Sequence, residues 1–183
     1  MPASASAGTK MMPGTITILW VPIEKAATPT EVLKAATLKD PATVDLSCAI
    51  VTGFTLNATD SETDSTASIC DTAGVSTPTR DAYEANLTFF RQDLQAADAA
   101  TSVYTKAYEL FKKGGAKANK RGWLVKRVGY PQGTPIAKDQ EVSAFLVMPD
   151  NPQDVSSDAT TPIQFTVPFL PQGTMILNEK VTE

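Results

Sequence analysis

Histidine is absent from this chain of 183 residues. Its absence removes the commonest general base, the commonest metal ligand and every Ser-His or Cys-His nucleophile pair. Only two cysteines occur, Cys48 and Cys70, both among small or apolar residues and outside any CxxC motif. They read as reduced, buried thiols and not as a disulfide or zinc framework. Aromatic residues make up 7% of the chain, too few to furnish the exposed aromatic face of a carbohydrate-binding sandwich. No apolar run approaches the length that spans a bilayer, and residues 1–14 lack the apolar core of a secretion signal. There is no glycine-rich phosphate loop, and no carboxylate pair sits in an apolar frame that would raise a pKa. No catalytic residue, metal or cofactor is expected, so a histidine-free enzyme is a weak reading. A net charge of −4 and a pI near 4.9 give no global case for nucleic-acid binding.

What the chain does have is strand alternation around one helix. Tyr83, Ala85, Leu87 and Phe89 alternate with Glu84, Asn86 and Thr88, the pattern of a half-buried strand. Residues 98–113 then place Val103, Ala107, Leu110 and Phe111 on one helical face, with Asp98 as the expected cap and Gly114-Gly115 as the stop. Residues 123–128 form the next strand, with Trp123 and Val125 facing away from Lys126. Further strands are expected at 15–21, 46–50 and 141–148, and at 163–167 and 174–178 joined by a turn at Pro171-Gln172-Gly173. A short helix is expected at 30–37, capped by Thr30. The sum is a mainly β (α+β) chain, a sandwich or barrel of about seven or eight strands with one flanking helix. Phe89, Trp123, Phe145 and Phe165 lie in regular strands and are expected in the core.

Two stretches look unlike strands. Residues 1–14 read as a flexible arm preceding a single domain at 15–183. Residues 57–79 are rich in Ser, Thr, Asp and Gly and read as a long loop, anchored by a short strand near 66–70. Asp60, Glu62 and Asp64 within it have the every-second-residue spacing of a calcium loop, but lack the central glycine and the twelfth-position glutamate of an EF-hand. Asn57-Ala-Thr and Asn86-Leu-Thr match the glycosylation pattern, without a secretion signal to give it meaning. Between Lys112 and Lys138 lie eight Lys or Arg residues and no Asp or Glu, half the positive charge of the chain. With Trp123 and Tyr130 interleaved, this stretch can be read as a nucleic-acid surface, as a solvated helix end, or as a contact with the acidic surface of another copy. On the last reading Lys112, Lys113, Lys117, Lys120 and Arg121 meet Asp60, Glu62, Asp64 and Asp71.

Several segments, taken in order, carry a family resemblance. They are residues 45–48 (DLSC), 80–91 (RDAYEANLTFFR), 108–112 (YELFK), 122–129 (GWLVKRVG), 152–154 (PQD) and 165–173 (FTVPFLPQG). The chain resembles the major tail, or tail tube, proteins of bacteriophages with long non-contractile tails (siphoviruses), over about residues 15–177. The segment 113–120 is more basic than that family suggests. The resemblance implies a fold similar to the lambda tail tube and type VI secretion tube proteins, in which six copies form a ring with a continuous inner β-barrel. Rings stack on a tape-measure protein, between tail initiator and terminator proteins, and DNA passes through the lumen at infection. The implied place is the virion tail, assembled in the bacterial cytoplasm, with no membrane partner. An acidic lumen would not hold the phosphate backbone.

Overall fold

The computed structural model describes residues 14–66, 70, 76–93, 95–98, 100–112, 120–155 and 161–183. Residues 1–13 of the arm expected at 1–14, most of the anchor strand expected at 66–70, the Gly114-Gly115 helix stop, and Asp71, Lys113 and Lys117 therefore lie outside the described residues. The strands are β1 (Ile16–Pro22), β2 (Val44–Asp45), β3 (Thr55–Asp64), β4 (Thr77–Phe90), β5 (Gly122–Val128), β6 (Glu141–Pro149), β7 (Gln153–Val155) and β8 (Gln164–Lys180). The helices are α1 (Pro29–Val32), α2 (Ala35–Leu38) and α3 (Val103–Phe111). All eight strands join one antiparallel sheet in the order β2-β1-β5-β6-β8-β4-β3, with β7 alongside β8.

β1, β5 and β6 are buried on both faces, so their alternate residues serve two cores. One core takes Ile18, Trp20, Leu124, Phe145 and Val147, and closes on Leu87, Phe89, Phe165, Phe169 and Phe111 of α3. Because residues of β1, β5 and β6 share this cluster with residues of β4 and β8, the single sheet curls around it. Its centre is an aromatic set in which Trp20 and Phe111 meet edge to face at 5.3 Å, and Phe89 stacks on Phe165 at 5.2 Å. The second core takes Leu19, Val21, Trp123, Val125, Ala144 and Leu146 beneath Val32 and Leu38 of the short helices, with Val181. Phe89, Phe145 and Phe165 thus lie in the first core and Trp123 in the second, each at 1% exposure or less.

β8 is the long tie. Its first part pairs with β4 from Gln164 to Phe169, and its remainder pairs with β6 from Phe169 to Lys180. The expected turn at Pro171-Gln172-Gly173 is therefore not a turn between two strands but a bulge within one. Between Phe145 and Val147 of β6, β8 advances from Met175 to Pro171, and Gly173 takes a φ of +78° there.

Local chemistry explains the other departures from expectation. The helix expected at 30–37 splits into α1 and α2, and its cap is Thr28, whose hydroxyl accepts from the Glu31 N–H while the Glu31 carboxylate accepts from the Thr28 N–H. The break falls where Lys34 bridges to Thr182 at the other end of the chain. The strand expected at 46–50 is instead the two-residue β2 and a 3-10 turn at Ser47–Ala49. The Ser47 hydroxyl accepts from the Ile18 N–H at 2.9 Å, so a side chain stands where a strand would have offered a carbonyl. Helix α3 starts at Val103 under Ser102 and not under Asp98, whose carbonyl accepts from Thr101 and Ser102 in a preceding turn. Cys48 and Cys70 are exposed thiols, not buried ones.

Candidate assembly surfaces

The stretch expected to be a loop at 57–79 is in large part a β-hairpin arm. β3 pairs with β4 from Thr55–Asn86 outward to Asp64–Thr77, with register shifts around Glu62. Leu56 is the outermost buried residue of β3 and Tyr83 that of β4. Beyond them residues 57–60, 62–64 and 77–81 are exposed, so the two strands project without a core on either face. Alternation fails as a strand signal here because neither face is apolar. The arm carries Asp60, Glu62, Asp64, Asp81 and Glu84 against one basic residue, Arg80. Asp60, Glu62 and Asp64 are strung along the edge strand, and among the described residues no three acidic or thiol groups converge as a metal site. Asp64 accepts from the Thr66 N–H and hydroxyl, which holds its carboxyl below the ordinary range.

The basic stretch is divided by the fold. Lys112 caps α3 and pairs with Glu109 one turn back. Lys120 lies 3.7 Å from Glu24 and is exposed, and Arg121 is exposed beside it. Lys126 turns inward, donating 2.6 Å bonds to the Leu56 carbonyl and the Asn57 Oδ1. Burial pushes its ammonium below the usual lysine value. It anchors the base of the arm to β5. Arg127 is 1% exposed and donates to Thr17 Oγ1, Gln140 Oε1 and the Thr134 carbonyl. Lys138 pairs with Glu183. Sequence spacing put these cations in one patch, whereas the fold assigns most of them to internal partners. A continuous nucleic-acid-binding stripe is not formed by the described residues.

Strand direction then sets where the remaining charge lies. β4 is antiparallel to β8, β8 to β6, and β6 to β5, so the start of β5 and the end of β4 face the same end of the sheet. Lys120 and Arg121 precede β5 at that end, and Arg91 follows β4 there. The acidic tip of the arm extends from the opposite end. Among the described residues, the expected basic and acidic groups are not brought together within one copy. They are separated along the strand axis.

Sequence comparison decides the family. The model of the phage tail tube protein family matches residues 5–183. The chain belongs to the phage tail tube protein family. It is thus a structural component of the virion tail. No curated protein matches the sequence. A chain in the cryo-electron microscopy structure of the anti-feeding prophage baseplate, determined with six-fold symmetrisation, is similar in fold. The TM-score is 0.56 over 93% of this chain and 96% of that one, at 11% identity. A tail tube protein does its work by assembling with copies of itself into a tube.

Residues that sequence reading passed over are Arg91, whose guanidinium lies 3.5 Å from the Tyr108 ring centroid, and Tyr83, whose hydroxyl serves the β6–β8 bulge. The signal for the first was present in an arginine directly after the strand and two tyrosines four apart at 104 and 108.

Proposed function

We propose that this tail tube protein closes into rings of six copies that stack head to tail into a hollow tube. The tube is built in the host cytoplasm on a tape-measure protein, between initiator and terminator proteins, and DNA traverses its lumen without specific binding. The observation that carries the head-to-tail reading is the placement of exposed charge. An acidic two-stranded arm leaves one end of the sheet, and Lys120 and Arg121 stand at the other. A heterologous contact between copies brings such opposite ends together. Exposed pairs contribute about 0–1 kcal/mol each, so the contact relies on repetition and on burial of apolar surface as well. Leu170 and Leu177 of β8 and the Ile16–Val128 pair of β1 and β5 are exposed apolar groups available for that burial. An isolated two-stranded hairpin is marginal in water, so the arm also gains most from a neighbour.

Electron microscopy of concentrated protein tests the reading directly. Hollow tubes whose averaged cross-section has six subunits are expected. A chain that stays monomeric at all concentrations, including with initiator and tape-measure proteins, would overturn it, and a ring of another number would overturn the six-fold closure alone.

A further inference from the structure

Arg91 and α3 border a small half-open cavity of about 160 Å³ lined by Arg91, Gln92, Tyr104, Thr105, Tyr108 and Glu109. Two of its polar atoms are buried and have no hydrogen-bond partner, Arg91 Nη1 and Thr105 Oγ1. A buried guanidinium N–H without an acceptor costs more than a typical hydrogen bond gains, so such a pair of atoms calls for a ligand. The guanidinium is held in place by the Tyr108 ring, 3.5 Å below it, with Phe165 at 5.9 Å. Glu109, the one carboxylate among the lining residues, is engaged by Lys112. What the cavity offers is a cationic donor and a hydroxyl donor on one lining, a pairing that suits a carboxylate.

We infer that the Arg91–Thr105 cavity is a socket for a carboxylate from the β3–β4 arm of a second copy, an inference that rests on the head-to-tail reading above. Arg91 follows the last residue of β4, and Glu62 lies across from Arg80 near the start of that strand. The two features therefore stand toward opposite ends of the strand, and the eleven positions from Arg80 to Arg91 span about 35 Å if it is straight. Stacking by translation along that direction presents the tip of one copy to the Arg91 end of the next. Asp64 is occupied by Thr66, and Asp81 and Glu84 lie on the inner strand β4, so Asp60 and Glu62 of the edge strand are the side chains that enter. Arg91 discriminates against an amide in that position because only the carboxylate offers two anionic acceptors to the planar fork.

The full chain is assembled at increasing concentration and followed by light scattering, with tubes verified by electron microscopy. Each variant is also melted below its assembly threshold. Thr105→Val removes the hydroxyl without loss of volume. Its free subunit is expected to melt at or above the wild-type temperature, yet its threshold concentration is expected to rise about ten-fold. Arg91→Gln and the double change Asp60→Asn with Glu62→Gln are expected to raise the threshold similarly, and combining them to add little beyond either. If Arg91→Gln does not fold, Thr105→Val combined with the acidic double change gives the same cycle. Wild-type thresholds in Thr105→Val and Arg91→Gln overturn the socket, and multiplying losses in the combined variant overturn the arm as its occupant. Wild-type protein that forms no tubes overturns the assembly reading and the socket with it.

Discussion

The hydroxyl of Tyr83 accepts the backbone N–H of Gln172 at 2.8 Å, across 89 positions of sequence. The same hydroxyl donates to the Leu146 carbonyl. Gln172 and Leu146 flank the place where β6 and β8 lose register, so one phenol from β4 stands in for a missing rung of the ladder. Tyr83→Phe leaves both backbone groups without this partner. It is expected to destabilise the subunit by about 1–3 kcal/mol in denaturant titration.

Burial also raises the Tyr83 pKa above the ordinary value of 10.0, against weaker opposing hydrogen bonds from Gln172, Thr174 and Gly173. A raised folded-state value means that stability is intact below the unfolded value and is lost as pH climbs from about 10 through the folded value. Wild-type stability should fall more steeply than that of Tyr83→Phe above pH 10. Parallel curves would show that the phenol does not titrate with unfolding.

Gly122 begins β5 against the ring of Trp20. A Cβ built there would overlap the ring carbons Cζ2, Cη2 and Cε2, and Trp20 is fully buried. Gly122→Ala should cost about 1–3 kcal/mol, because the ring has no free space to enter. A thermal melt unchanged from wild type would show that the sheet yields at that corner.

Trp123→Ala and Phe165→Ala empty one core each and should cost about 3–5 kcal/mol apiece. The Trp123 indole also donates to the Ala26 carbonyl at 2.8 Å, tying the segment before α1 to β5. Hydrogen exchange should then report faster opening of residues 22–38 in Trp123→Ala and not in Phe165→Ala. Equal effects in both would merge the two cores into one cooperative unit.

Backbone amides of the arm, residues 57–64 and 77–82, should exchange quickly in the free subunit and slowly in tubes. Reversal of Lys120 and Arg121 to Glu should leave the monomer folded and impair assembly, and salt should weaken assembly of the wild type. Normal tubes from the double reversal would remove this end of the sheet from the contact.

The elements legible in the sequence are those whose environment differs between two faces or is apolar on both. β1, β5, β6 and the inner half of β4 announce themselves through alternation at Tyr83 to Phe89 and through the apolar run around Phe145. The arm was illegible because Asn57 to Asp64 are polar on both sides, which local pattern cannot distinguish from a loop. Pro171-Gln172-Gly173 has turn chemistry and is used for a bulge, a choice made by Tyr83 from a distant strand. The candidate contacts were half legible. Net charge along the chain pointed to Lys120 and Arg121, but nothing local marks Arg127 as a buried donor to Thr17 and Gln140, and the Arg91 cavity exists only once α3 folds back.

The pairing of β1 with β5 joins Ile16 to Val128, whereas β3 and β4 are joined through the residues between Asp64 and Thr77. During synthesis the arm can therefore form while the centre of the sheet still lacks a strand, and its outer edge stands open among many nascent copies of the same chain. Such an edge invites strand addition and aggregation, and charge is a standard defence. Asp60, Glu62 and Asp64 place that defence on the edge strand itself. Nascent copies therefore carry like charge along that edge, which opposes pairing of one edge with another before the rest of the sheet has formed.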